Sequence, residues 1–124
     1  MRQIDSYSTS LLLRTKRFAV SVIQVVSLLP KHPASFTISD QIVRSATSIG
    51  SNLTEAQEAV SPKDFLYKLT FCLKEAKETR YWLEIIRDAS LISEEKLKFV
   101  LQECEELVKI LVTIVKKLKA KNSG

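Results

Sequence analysis

The sequence is dominated by apolar residues that recur every three or four positions. The clearest run begins after Pro62 and continues to Ile86, and a second begins after Ser93 and continues to Leu118. This period places the apolar residues on one face of an α-helix. The 124 residues include only two Gly and three Pro, so the chain has few positions at which a helix must end. The pattern therefore predicts an all-α fold of long amphipathic helices.

Turn residues and helix caps divide this pattern into four helices. Ser61 precedes Pro62, and Asp64 follows in the first turn, which is the arrangement of an N-cap serine, a proline at the first helical position and a capping acid. The second helix is expected to begin at Thr37 or Ser39, whose hydroxyls could cap it. The predicted helices cover residues 9–29, 39–60, 62–89 and 93–120, within one domain over residues 1–124.

The connections between these helices are too short to cross the molecule, so each helix must run antiparallel to the one before it. This arrangement predicts an up-down-up-down four-helix bundle. The first, third and fourth helices carry a second apolar row beside the main one, and together these rows exceed what one bundle core can bury. Because large exposed apolar patches are typical of interfaces, we expect a homo-oligomer. A monomer with an unusually apolar surface is the alternative.

The second helix is built from unusually small residues. It carries Gly50 within a run of Ser, Thr, Ala and Asn residues, and the glycine alone costs a helix about 1 kcal/mol. One explanation is close packing between helices, with hydroxyls bonded to carbonyls one turn earlier. The other is a polar face kept for a partner. We favour close packing, because a glycine inside a helix usually has a packing reason. On the same helix Asp40 and Arg44 are spaced as an ion pair.

The net charge of the chain is +5, and the positive excess lies on the first helix and at the chain ends. In an up-down-up-down bundle both termini share one end with the turn between the second and third helices. Lysines from these segments should gather there, as is typical of sequence-independent nucleic-acid binding. The alternative is that lysines in the last helical turn only complement the helix dipole. The candidate nucleic-acid-binding residues are Arg2, Arg14, Lys16, Arg17, Lys63, Lys116, Lys117, Lys119 and Lys121.

The sequence contains no pattern typical of catalysis or of a cofactor site. Two Glu-x-x-Glu pairs, which end at Glu58 and Glu78, lack the histidine that metal sites in helical bundles use. The one histidine, His32, lies in a predicted loop. We therefore expect no enzymatic activity, no metal and no cofactor.

The cysteines and the hydropathy of the chain bear on its location. Cys72 and Cys104 fall on apolar helical stripes, which favours free thiols and a cytoplasmic protein. The longest uncharged run, from Phe18 to Leu29, is too short to cross a membrane. Its polar residues recur every three positions, which favours an amphipathic helix over a signal peptide.

Two runs resemble a known family. SIGSN-x-x-EAQ spans Ser48 to Gln57, and KEA-x-ETRYWL spans Lys74 to Leu83. With their surroundings, over about residues 10–118, they resemble the bacterial 23S rRNA intervening-sequence proteins, also called the S23 ribosomal protein family. The resemblance implies antiparallel four-helix bundles that assemble into rings, typically pentamers, with no known catalytic activity. A related branch, the accessory variability determinants of diversity-generating retroelements, forms basic pentameric barrels that bind nucleic acid and a reverse transcriptase.

The matching motif residues carry over as packing and interface positions. The candidate interface residues are Arg44, Ser48, Asn52, Glu55, Glu75, Glu78, Arg80, Tyr81 and Trp82. Our leading hypothesis is a non-enzymatic, ring-forming scaffold that binds RNA or DNA through its basic residues. The alternative is a protein-protein interaction module without a nucleic-acid role, which recognises another protein through the small polar face around Ser48 and Asn52.

Overall fold

The structure, a computed structural model, describes residues 6–123 and the side chains of residues 10–122. This part of the chain forms four α-helices and no strand: α1 (Ser6–Val26), α2 (Pro33–Ala56), α3 (Pro62–Asp88) and α4 (Glu94–Ser123). α2 packs against α1 and α3, and α4 packs against α3 and α1. Consecutive helices run antiparallel, which confirms the predicted four-helix bundle. Over the described residues no Cα atom of α1 comes within 8 Å of one in α3, because the two helices occupy diagonal corners of the bundle.

The core is built from the apolar stripes that the three- and four-residue spacing predicts. Every helix contributes large side chains that are almost fully buried, among them Phe18, Ile42, Leu83 and Leu107. The second apolar rows are covered only in part. On α1 the outermost apolar residues remain close to half exposed, namely Leu13, Val20 and Ile23. α1 therefore keeps an apolar face that the bundle itself does not cover.

α3 begins at the predicted cap. The side-chain oxygen of Ser61 accepts a hydrogen bond from the backbone N–H of Asp64 at 3.0 Å. In return the Asp64 carboxylate accepts one from the backbone N–H of Val60 at 3.1 Å. This reciprocal arrangement satisfies two donors that would otherwise lack partners at a helix start. The cap therefore fixes the direction in which α3 leaves the turn.

α2 begins six residues before the predicted start at Ser39. Pro33 occupies the first helical turn, where its missing N–H costs nothing. The Nδ1 atom of His32 accepts a hydrogen bond from the backbone N–H two residues later at 3.1 Å, so the imidazole takes the place of a serine or threonine cap. The expected caps, Thr37 and Ser39, lie inside the helix instead. α2 also ends at Ala56 rather than near residue 60, and the intervening residues form the turn into α3.

Close packing accounts for the glycine among the small residues of α2. A β-carbon on Gly50 would lie 3.1 Å from the Oγ1 atom of Thr15 on α1, so a larger residue there would crowd the two helices. Thr47, Ser48 and Thr54 each donate a side-chain hydrogen bond to the backbone carbonyl four residues earlier, at 2.7 to 2.8 Å. The contact at Gly50 supports the packing explanation at that position, whereas Thr47 and Thr54 are exposed and leave the partner explanation open.

Candidate nucleic-acid interface

Five of the predicted nucleic-acid-binding residues lie at one end of the bundle. The side-chain amide of Asn122 donates a hydrogen bond to the backbone carbonyl of Pro62 at 3.4 Å, which places the end of α4 beside the start of α3. All five lysines contributed by these two segments are exposed. We refer to them as the lysine end, which comprises Lys63, Lys116, Lys117, Lys119 and Lys121.

Two acids among the described residues, Asp64 and Glu58, belong to the segments around the lysine end. Hydrogen bonds from Lys68 and from the backbone N–H of Val60 lower the pKa of Asp64, and the Lys68 ammonium lies 2.9 Å from that carboxylate. The charge of Asp64 is thus balanced by a lysine outside the cluster. Glu58, in the turn before α3, is exposed, so among the described residues the five lysines outnumber this remaining acid.

The predicted cations of α1 form a separate basic surface. Arg14 donates to both carboxylate oxygens of Glu103 on α4, through Nε at 2.7 Å and Nη2 at 2.9 Å, so its charge is already paired. Lys16 and Arg17 are exposed. Glu103 precedes Lys116 by 13 residues, or about 20 Å along the helix, so the structure does not join these cations to the lysine end. Arg2 lies outside the described residues.

Several predicted interface residues contact one another within the chain. Arg44 on α2 bonds Glu78 and Glu75 on α3, the latter at 3.4 Å, and the Nε1 atom of Trp82 donates to Glu78 at 3.3 Å. Burial raises the pKa of Glu78, but the bonds from Arg44 and Trp82 outweigh this effect and the pKa is lowered overall. These four residues form what we call the α2–α3 seam. They replace the predicted pairing of Arg44 with Asp40, because the Arg44 side chain reaches across to α3.

The remaining predicted interface residues divide into bonded and solvent-facing groups. Ser48 and Asn52 donate side-chain hydrogen bonds to α2 carbonyls one turn earlier, at 2.7 and 2.8 Å. Arg80 contacts Glu105 on α4 at 3.3 Å. Tyr81, which is 54% exposed, and Glu55 face solvent. The polar face around Ser48 and Asn52 is therefore partly occupied by bonds within its own helix.

One surface was not located by the sequence reasoning. A groove of about 720 Å³ runs between α1 and α2. The second apolar row of α1 signalled an uncovered face, but the sequence could not say which helices would flank it. We call this feature the α1–α2 groove, and its walls include Leu12, Leu13, Ala19, Val20 and Ile23 of α1 with Gly50 of α2.

Three of the four hydroxyl groups that line the α1–α2 groove are bonded within their own helices. Thr47 and Thr54 donate to carbonyls of α2, and Thr15 donates to a carbonyl of α1 at 2.9 Å. Ser51 is the fourth and is exposed. Lys16 supplies the charge among the lining residues. The groove is consequently an apolar surface with a basic rim.

Residues that could carry chemistry are otherwise engaged. His32 caps α2. Burial raises the pKa of both Cys72 and Cys104 to about 12, so each remains a protonated thiol at neutral pH. Among the residues that the structure describes, no three metal-binding side chains come together. Over the same residues, no helix combines the length and apolar character that a membrane crossing requires.

Comparison with known proteins identifies the family. Residues 10–113 match the family described as 23S rRNA-intervening sequence protein. The chain belongs to this family. A crystal structure of a protein of unknown function from the S23 ribosomal protein family of Bacteroides thetaiotaomicron is 38% identical, with a TM-score of 0.78, and the match covers 85% of this chain and 97% of that one. No curated protein matches the chain.

Membership of the 23S rRNA-intervening sequence protein family confirms the resemblance and agrees with the four-helix fold. The two runs that carry the resemblance, Ser48–Gln57 and Lys74–Leu83, lie on α2 and α3, the helices joined by the α2–α3 seam. In this 23S rRNA-intervening sequence protein the runs contribute contacts inside the bundle. The lysine end lies outside both runs.

Proposed function

We infer that the chain is a non-enzymatic scaffold that self-associates and binds nucleic acid through the lysine end. The contact between Asn122 and Pro62 carries this proposal, because it gathers five exposed lysines from two helices at one end of the bundle. Like charges held together repel one another and destabilise a compact state. A polyanion removes that repulsion, so the lysine end is suited to a phosphate backbone.

Binding of this kind has a defined signature. Each lysine that neutralises a phosphate releases condensed counterions, so affinity falls steeply as salt rises. Contacts to phosphates carry no sequence information. We therefore expect binding that depends strongly on ionic strength and little on nucleotide sequence.

Fluorescence anisotropy with a labelled duplex, measured over a salt series, tests the proposal. Replacing Lys116, Lys117 and Lys121 together with glutamine should weaken binding and reduce the salt slope by about one per lysine removed. The matched control replaces Lys31, Lys96 and Lys98, three exposed lysines at the opposite end, and should leave the slope unchanged. A wild-type chain that binds neither RNA nor DNA at low salt contradicts the proposal.

The α1–α2 groove supports the self-association part of the proposal. Leu13, Val20 and Ile23 form a nearly continuous apolar surface around it, and apolar surfaces of this kind are typical of interfaces. The expected product is a ring, with the pentamer implied by the family resemblance. Val20→Glu should reduce the mass measured by light scattering, whereas Leu28→Glu, at an equally exposed leucine outside the groove, should not. A wild-type monomer contradicts self-association.

The proposal assigns no reaction to the chain and places it in the cytoplasm. The part of the proposal that assigns no reaction is supported by the use of His32 as a helix cap and by the buried, protonated state of Cys72 and Cys104. Free cysteines fit a reducing compartment. Elemental analysis of the purified protein tests the metal-free expectation, since stoichiometric metal would contradict it.

An interaction module for another protein is the second candidate function, and the α1–α2 groove is the observation that favours it. The groove suits a partner helix better than the face around Ser48 and Asn52, whose side chains already bond to α2. This candidate predicts that the chain is a monomer that binds no nucleic acid. It also predicts that Val20→Glu abolishes binding of the partner protein. A substitution of Asn52 by a bulky residue should then leave partner binding intact.

A further inference from the structure

The solvent-facing side of α3 alternates lysines with aromatic residues. Lys63, Tyr67, Phe71, Lys74, Lys77 and Tyr81 are three or four residues apart, so they form one row along the helix. The row spans 19 residues, and the 18 steps between its ends cover about 27 Å. We call it the α3 stripe. It begins at Lys63, a member of the lysine end, and is therefore continuous with that basic surface.

Two aromatic residues of the α3 stripe are exposed, and Phe71 is half-buried between them. Tyr67 is 63% exposed and Tyr81 is 54% exposed. Tyr67 meets Phe71 edge-to-face, with ring centroids 5.0 Å apart, and the Lys74 ammonium lies 5.6 Å from the centre of the Phe71 ring. These contacts orient rings that would otherwise rotate freely. An aromatic platform with a cation beside it is the arrangement on which unpaired bases stack.

The charges along the α3 stripe match a polyanion. Lys63, Lys74 and Lys77 are all exposed. Two acids beside the stripe are each engaged by a cation, Asp64 by Lys68 and Glu78 by Arg44, and Glu84 lies three residues after Tyr81. A face that carries three lysines would repel the same face of a second copy, so charge disfavours a two-fold contact here and suits a nucleic acid.

We propose that a single-stranded nucleic acid lies along the α3 stripe, with bases stacked on Tyr67 and Tyr81 and with phosphates against the lysines. This inference rests on the proposed function and specifies which form of nucleic acid the chain takes. A duplex keeps its base faces stacked inside the helix, so it can reach the lysines but not the rings. Since α3 is diagonal to α1, the stripe and the α1 wall of the α1–α2 groove lie on separate surfaces of the bundle.

Fluorescence anisotropy tests the inference by comparing the binding of two labelled probes. One is an oligothymidine of about 12 nucleotides, within the usual range of single-strand site sizes, and the other is a duplex of the same length. Tyr67→Leu and Tyr81→Leu should each weaken oligothymidine binding about 5- to 150-fold, the range expected for loss of one stacked base, and leave duplex binding unchanged. The salt slope should stay the same in both variants. Tyr67→Phe and Tyr81→Phe keep the ring and should bind as the wild type does.

Phe99→Leu is the matched control, because Phe99 is an equally exposed aromatic residue on α4, outside the α3 stripe. Circular dichroism confirms that each variant is folded. The inference is overturned if the tyrosine-to-leucine variants bind oligothymidine as tightly as the wild type, or if they lose duplex binding to the same extent. The proposed function survives either result, provided that the lysine-end variant still weakens binding. Failure of the wild type to bind any nucleic acid overturns both.

Discussion

The side-chain oxygens of Thr79 on α3 and Ser45 on α2 lie 2.8 Å apart at a fully buried position between the two helices. Each oxygen also lies within hydrogen-bond distance of a carbonyl of its own helix, at 2.8 Å for Thr79 and 3.2 Å for Ser45. The two hydroxyl groups have two protons for these three contacts. One proton forms the bond between the helices, and the other forms a bond to a carbonyl. The pair is satisfied without water, and it fixes the position of α3 along α2.

Replacing Thr79 by valine should therefore lower the free energy of unfolding by about 1–2 kcal/mol, because Ser45 loses its partner on α3 in a buried site. Ser45→Ala should have a similar effect. In the double variant the losses should fall short of their sum by about 1 kcal/mol, since both remove the same bond. Urea unfolding at one fixed protein concentration measures all three values. Losses that simply add would show that the two hydroxyls do not interact.

Gly50 should respond to alanine according to the residue at position 15. Alanine favours a helix by about 1 kcal/mol over glycine, but its β-carbon would lie 3.1 Å from Thr15 Oγ1, whose bond to a carbonyl of α1 leaves it little freedom to move. We expect Gly50→Ala to destabilise the wild-type chain. In a Thr15→Ala background the same change should stabilise it by about 1 kcal/mol. Thermal unfolding of the four chains is the measurement, and a stabilising effect in both backgrounds would contradict this explanation.

The α2–α3 seam should make stability depend on acid pH. The pKa of Glu78 is lowered in the folded chain, whereas the pKa of a glutamate in an unfolded chain is about 4.3. Its contribution is therefore complete above that pH and disappears as the pH falls through the folded pKa. Arg44→Gln should destabilise the chain by about 1 kcal/mol at neutral pH and flatten this acid dependence.

The urea midpoint measures this effect. It is determined from neutral pH down to about pH 3, a range that includes the ordinary glutamate pKa. Arg87→Gln is the control, because Arg87 pairs at 2.9 Å with Asp88 at an exposed helix end, where an ion pair contributes little. If Arg44→Gln and Arg87→Gln give the same pH profile, the seam does not carry the dependence.

The two predicted serine caps should differ in strength. Ser61 accepts a hydrogen bond at 3.0 Å from the backbone of Asp64, whereas Ser93 lies 3.4 Å from the N–H that it caps. We expect Ser61→Ala to cost about 1 kcal/mol and Ser93→Ala to cost less. Differential scanning calorimetry gives both values. Equal losses would mean that the cap distance does not determine the difference.

The sequence predicted the fold because its apolar spacing and the Ser61-Pro62 cap are local signals. It missed the start of α2, because Thr37 and Ser39 are common cap residues whereas His32 caps only when its ring turns toward the helix. The identity of His32 gave no indication of that orientation. When a helix start depends on the orientation of one side chain, the residue type alone does not predict it.

The candidate site was predicted less completely than the fold, for a different reason. Helical spacing showed that Glu75 and Glu78 share a face, but not that this face meets Arg44 on another helix. The sequence placed the lysines at one end correctly, since that follows from the order of the helices. It could not locate the α1–α2 groove, because the exposure of Val20 depends on how closely α1 approaches α2.

The diagonal placement of α1 and α3 has a consequence for avidity. Chains that assemble through α1 with α3 left exposed would each carry one α3 face, so a long strand could engage several subunits in succession. After the first subunit binds, the others meet the strand at a high effective concentration, so the overall affinity rises without any new type of contact. A short oligonucleotide spans one subunit, so its affinity does not rise in this way. Length of the strand, rather than its sequence, would then decide which nucleic acids such an assembly retains.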